Sequence, residues 1–139
     1  MKKGANYWFK KGNRFVDSGN FADAINCYAK ATRFKPDFDT AFNNWGDALS
    51  DLAEIKQDES LFRESFDKYA EATRLNPNYD IAFNNWGIAL KELAKIKQDE
   101  SLFRESFEKY AEATRLNPNY DRAFINWGIA LSNLARSSI

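Results

Sequence analysis

The chain has 139 residues, with 20 basic and 20 acidic side chains, no histidine and a single cysteine, Cys27. That length suits one domain or one compact array, and zero net charge supplies no positive field for phosphate, which argues against nucleic acid as a partner. With one cysteine and no histidine, an intrachain disulfide, a zinc-finger ligand set and a Cys–His catalytic pair are all excluded, and no metal or other cofactor is expected. No apolar run approaches the ~18 residues that a membrane span needs, and Met1-Lys2-Lys3 leads into polar residues rather than a leader's apolar core. The expectation is a cytoplasmic, all-helical, non-catalytic protein without membrane attachment.

Charge is unevenly placed. Residues 1–38 sum to +5, 39–79 to −5, 80–120 to −1 and 121–139 to +1. A basic front beside an acidic middle either steers an oppositely charged partner or reflects a solvated surface that has drifted.

The chain repeats itself. Trp45, Trp86 and Trp127 are spaced by 41, as are Gly46, Gly87 and Gly128, and Pro36, Pro77 and Pro118. Segments 39–79 and 80–120 differ at only six of 41 positions, and 5–38 is the same unit with seven residues removed. A further unit begins at Asp121. This organisation predicts a single array over 1–139, with repeats 5–38, 39–79 and 80–120 and a terminal helix at 121–136.

Each unit carries two helical patterns. In the second, Ala41, Phe42, Trp45, Ala48, Leu49 and Leu52 recur at helical spacing, with Asp39 placed as N-cap, and Asp80 and Asp121 likewise in later units. A polar turn, Gln57-Asp58-Glu59-Ser60, follows, offering Asp58 or Ser60 as the next cap. Leu61, Phe62, Ser65, Phe66, Tyr69, Ala72 and Thr73 then form one helical face that ends at Asn76-Pro77. In the first unit the turn is Ser18-Gly19-Asn20. The pattern predicts seven helices: three antiparallel pairs and one more. Gly12, Gly46, Gly87 and Gly128 fall inside helices, where glycine costs ~1 kcal/mol against alanine. The expected compensation is close helix approach, a methyl there meeting the neighbouring backbone.

Trp8, Gly12, Phe15, Ala24, Tyr28, Ala31 and Pro36 resemble the tetratricopeptide repeat signature, in register over 5–38. Phe42, Trp45, Gly46, Leu49, Ser65, Tyr69, Ala72 and Pro77, then Phe83, Trp86, Gly87, Leu90, Ser106, Tyr110, Ala113 and Pro118, continue it. Ser65 and Ser106 depart from the usual small alanine, and the seven extra residues fall between the paired helices, lengthening each by about a turn. The resemblance implies a right-handed α-solenoid of stacked helix pairs that acts as a protein-interaction scaffold, with the first helix of each pair lining a concave groove for a peptide or protein segment.

Five of the six differences between the long units, Thr40/Ile81, Asp47/Ile88, Ser50/Lys91, Asp51/Glu92 and Glu54/Lys95, fall on one arc of the first helix at ~100° per residue. Phe42, Trp45, Leu49 and Leu52 lie on the opposite side. Either exposed positions drifted, or a groove was varied to read a ligand. Unchanged Lys68, Glu71 and Arg74 on the second helix speak against drift alone.

Asparagines repeat on the same arc: Asn43 and Asn44, Asn84 and Asn85, then Asn126. Their amides either hold a peptide backbone or bond adjacent repeats and stiffen the stack. The groove candidates are Lys10, Asn13, Asn43, Asn44, Asp47, Asn84, Asn85, Ile88, Lys91, Arg122, Asn126 and Ile129. Apolar Ile81, Ile88, Ile125 and Ile129 call for hydrophobic ligand side chains, with Lys10, Lys11 and Arg14 receiving an acidic part. The resemblance also locates the carboxylate clamp of chaperone-binding members. Asn13 and Asn44 match its asparagines, but Phe9, Ile81 and Asn85 occupy its cationic places, so a chaperone's acidic tail is not the expected ligand.

Other classes are weaker. Asp58 and Glu59 read as a turn and cap, without a histidine base beside them. Cys27 reads as an inert helical thiol. Lys2, Lys3, Lys10 and Lys11 with Tyr7, Trp8 and Phe9 make too short a basic cluster for nucleic acid. The alternative is a self-associating, designed or recently amplified array without a specific peptide ligand. Self-association rests on the terminal helix, whose Phe124, Trp127 and Leu131 call for a companion and could form a homo-oligomer; the near-identity of 39–79 and 80–120 supports the designed or amplified array.

Overall fold

The computed structural model describes residues 3–137, so Met1 and Lys2 lie outside the described residues. The described residues form seven helices and no strand: α1 (Ala5–Asp17), α2 (Phe21–Phe34), α3 (Asp39–Lys56), α4 (Glu59–Leu75), α5 (Asp80–Lys97), α6 (Glu100–Leu116) and α7 (Asp121–Ser137). The extra residues of the long repeat lengthen both helices as expected: α3 and α4 have 18 and 17 residues, against 13 and 14 in α1 and α2.

The chain falls into two compact units, Met1–Pro77 and Asn78–Ile139. In the first, α1 pairs with α2 and α3 with α4, while α2 packs on α3 and α1 reaches α3. In the second, α5 pairs with α6, and α7 packs on α6 and reaches α5.

The turn within each long hairpin is shorter than its polar sequence suggests. Only Gln57 and Asp58 lie outside helix. Gln57 closes α3 in the left-handed region at φ 53°, and its Nε2 donates to the Glu54 carbonyl at 2.8 Å. Asp58 caps α4: its Oδ1 accepts from the Ser60 hydroxyl at 2.7 Å and from the backbone N–H of Ser60 at 2.9 Å and of Leu61 at 3.4 Å, and these bonds, the hydroxyl's first, hold the carboxyl below its ordinary pKa. Gln98 and Asp99 repeat the device.

Asp39 and Asp80 are not N-caps. Those positions are Phe38 and Tyr79, and each aspartate is the first helical residue. Oδ1 of Asp39 accepts from the Thr40 N–H at 2.9 Å, and its Oδ2 accepts from Nδ2 of Asn76, the C-cap of α4, at 3.1 Å. Asp80 and Asn117 do the same at 3.0 Å. The aspartate thus ties the start of one helix to the end of its partner. Asp121 likewise begins α7.

Small residues let the helices approach. In the first unit Ala24, Tyr28 and Ala48 pack with Phe9, Phe15, Val16, Phe21, Ile25 and Trp45, and Ala31, Phe38 and Ala41 pack with Trp8 and Phe9. Each buried ring contributes up to ~3 kcal/mol. The glycines have a different neighbour from the expected backbone. A Cβ on Gly12, Gly46 or Gly87 would lie 2.7, 2.7 or 2.6 Å from Cε1 of Tyr28, Tyr69 or Tyr110 respectively. At Gly128 it would meet nothing within 4 Å. Ser65 and Ser106 are buried, and each hydroxyl donates to the carbonyl three residues back at 2.6 Å, so the departure from alanine leaves no orphan polar group. Cys27 is a buried free thiol whose pKa burial raises.

Candidate functional site

The residue after each repeat glycine sets the polar chemistry of the first helices. It is Asn13 on α1 and Asp47 on α3. The buried tyrosine of each hairpin donates to it: Tyr28 to Asn13 Oδ1 and Tyr69 to Asp47 Oδ1, both at 2.5 Å. Asn13 Oδ1 also accepts from Asn44 Nδ2 at 3.1 Å, and Asn44 Oδ1 accepts from Asn43 Nδ2 at 3.2 Å. Asn13, Asn44 and Asp47, with Val16, Asp17 and Tyr28, line a pocket of about 240 Å³. The bonds from Tyr28 and Asn44 both use Asn13 Oδ1, and among the described residues its Nδ2 makes no hydrogen bond.

Burial pushes the Asp47 carboxyl up to about 7; the Tyr69 hydrogen bond pulls the other way and the charge of Asp51 adds to the rise. Tyr28 and Tyr69 are raised, first by burial and then by the facing Asp47 charge, so both remain hydrogen-bond donors. This wall therefore presents a carboxyl whose proton burial holds well above the usual carboxylate range, beside an amide and a phenol.

The second unit uses the same positions differently. The residue after Gly87 is the half-buried Ile88, and the buried Tyr110 hydroxyl has no partner. Asn126 Nδ2 donates to Asn84 Oδ1 at 3.2 Å. Lys91, expected in the groove, is only 8% exposed, and its Nζ lies 3.1 Å from Glu92, which also faces Lys95 at 3.7 Å. Ile81, Ile125 and Ile129 are exposed, as is Arg122 on α7; Asn85 is half-buried.

Several expectations need correction. Asn43 and Asn84, placed on the open arc by the helical wheel, are 4% and 1% exposed. Ser50 and Lys91 on that arc are buried too, while Thr40, Ile81, Glu54 and Lys95 are exposed. A wheel assigns direction around one helix but is blind to the second neighbour that covers it. The invariance of the second helix also has a packing reason. Lys68 Nζ sits 4.0 Å from the Trp45 ring centroid, and Glu71 pairs with Arg74 at 2.5 Å. Lys10 is exposed on α1 and does not line the pocket. Tyr28, Val16 and Asp17 were not anticipated there. For Tyr28 the signal was a tyrosine following the glycine in every unit, by 16 residues in the short unit and 23 in both long ones.

Helix hairpins of one repeated sequence, joined by short turns, define a helical-repeat protein. Residues 12–52 match the family model described as TPR repeat. The fold is similar to the first TPR domain of human RPAP3, with 23% identity over 96% of this chain and 94% of that one, at TM-score 0.80. It is also similar to the Arabidopsis OM64 TPR domain, with 17% identity, 93% and 95% coverage and TM-score 0.79. The first TPR of Spaghetti (RPAP3), bound there to the HSP90 peptide SRMEEVD, matches with 23% identity, 97% and 99% coverage and TM-score 0.77. No curated protein sequence matches the chain. The family-model match is confined to residues 12–52, and over the rest of the chain the similarity to TPR domains is one of fold. No helix of the described residues is long and apolar enough to cross a membrane.

Proposed function

We propose that the chain is a non-catalytic protein-interaction scaffold whose first unit holds an extended segment of a partner protein on the α1–α3 face. The observation that carries this reading is the 240 Å³ pocket in which Asn13 keeps a free amide beside Asp47. An extended peptide alternates N–H and C=O groups, which match an amide donor and a carboxylate acceptor. Two such bonds supply about 1–3 kcal/mol, so affinity also depends on apolar anchoring. A structural neighbour of the fold carries a chaperone peptide, but Phe9, Ile81 and Asn85 stand where the clamp needs cations, so the proposed ligand is not a chaperone tail.

A peptide selected on the protein from a displayed library provides the test. Asn13→Asp keeps the oxygen that receives Tyr28 and Asn44 but removes the outward donor, and it is expected to weaken the selected peptide about 3–10-fold with helicity retained. Unchanged affinity would remove the amide from the mechanism.

Self-association through α7 is a second reading, favoured by Phe124, Ile125, Ile129 and Leu131, all exposed on an arc of roughly 160°. Light scattering then shows a mass that rises with concentration and returns to monomer in Ile125→Lys; a strict monomer throughout eliminates it.

A further inference from the structure

A second cavity of the first unit, about 470 Å³, is lined by Lys3, Trp8, Lys30, Arg33 and Phe34. Three cations and two rings meet there without a carboxylate. Comparison among the hairpins shows how unusual that is within this chain. Arg33, Arg74 and Arg115 hold one repeat position, five residues after the buried tyrosine. Three residues earlier stand Glu71 and Glu112, which pair with Arg74 and Arg115. In the first hairpin that glutamate is Lys30. The ion pair of the other two hairpins is replaced by two like charges, and no ion pair among the described residues involves Lys3, Lys30 or Arg33.

The apolar part departs from the repeat as well. Leu75 and Leu116 are half-buried, whereas their counterpart Phe34 is 62% exposed. Lys30 Nζ rests 4.3 Å from the Trp8 ring centroid, which holds the ammonium at the pocket rather than free in solvent. A cation at the end of α2 complements the helix dipole, which accounts for Arg33 alone and not for the exposed ring or for Lys3 and Lys30.

We propose that this pocket docks an acidic segment of a partner protein, in which Asp or Glu side chains flank a bulky apolar one. The partner's carboxylate takes the place of the missing glutamate against Lys30 and Arg33, and its apolar side chain covers Phe34 and Trp8. The lining side chains are donors only, Lys, Arg and the indole N–H, with Phe34 apolar. They suit carboxylate oxygens, whereas the amino groups of a nucleobase would find no side-chain acceptor. The volume exceeds an inorganic anion and fits two or three side chains, and the +5 charge of residues 1–38 favours acidic partners at long range. This inference is independent of the Asn13 pocket.

The test titrates the full chain with the capped hexapeptide Asp-Glu-Leu-Phe-Asp-Glu, with its Asn/Gln analogue, and with AMP, by calorimetry and by the Trp8 indole resonance. The acidic peptide is expected to bind, to shift the Trp8 indole and to weaken as salt rises. The amide analogue and Lys30→Glu are each expected to lose at least tenfold in affinity. Lys30→Glu restores the Glu–Arg spacing of the other hairpins and so keeps the helix, which circular dichroism verifies; Phe34→Ala is expected to weaken binding on a surface that tolerates it. Equal affinity in Lys30→Glu and parent overturns the proposal. So does a shift of the Asn13 and Asn44 side-chain amides in place of Trp8, or AMP binding more tightly than the peptide.

Discussion

Asp47→Asn is expected to make the protein more stable above neutral pH and to leave it unchanged in acid. The folded carboxyl has its pKa raised to about 7 from 3.8 because burial disfavours the charge. The folded state therefore binds the proton more tightly than the unfolded state. The contribution of this group to stability is complete below about pH 4, falls as pH rises through the interval up to about 7, and stays lost above it. At 1.4 kcal/mol per unit, the loss reaches up to about 4 kcal/mol. Asparagine retains the oxygen that accepts from Tyr69 and carries no charge, so the mutant lacks this pH dependence. Urea unfolding of parent and mutant at a series of pH values isolates the difference, since every other carboxyl is common to both. Curves that run parallel from pH 4 to 8 would show that Asp47 is ionised in the folded protein without penalty.

Alanine at the repeat glycines is expected to split by position. In Gly46→Ala and Gly87→Ala the new methyl meets a buried tyrosine ring at 2.7 and 2.6 Å, well inside ordinary carbon contact. Tyr69 and Tyr110 are enclosed and cannot swing away, so overpacking of ~1–3 kcal/mol exceeds the ~1 kcal/mol gain in helix propensity. Gly128→Ala meets nothing and keeps the whole gain of ~1 kcal/mol. Denaturant midpoints for the three variants check this. A rise at all three positions would mean that the tyrosine does not select the glycine.

The glycine pattern also shows where reading the chain stops. Periodicity placed all seven helices, because apolar spacing is a local property that each turn repeats. It could not say whether a glycine faces backbone or a ring, since that depends on a residue 16 or 23 positions away. Asp39 reads as a cap from its place before an apolar run. Its engagement with Asn76 depends on where the end of α4 lies, which only packing sets. Asn13, Asn44 and Asp47 were legible as polar residues on one face, and they do share a pocket. Asn43 was placed on the same face and is buried, because α3 touches two helices of its unit besides its own partner.

The cation pocket lies between these cases. Lys30 in the place of Glu71 and Glu112 is visible by aligning the repeats. Its convergence with Lys3, Trp8 and Phe34 requires two helices to be brought together.

From its sequence alone this protein is a series of helix hairpins built on one repeated unit, because hydrophobic spacing, turn chemistry and repetition all act within a few tens of residues. Tertiary structure alone decided which amides are consumed by neighbours, which carboxyl is desolvated and which cations stay unpaired. Burial and pairing are properties of surfaces that meet, and residues far apart in the chain supply the other side.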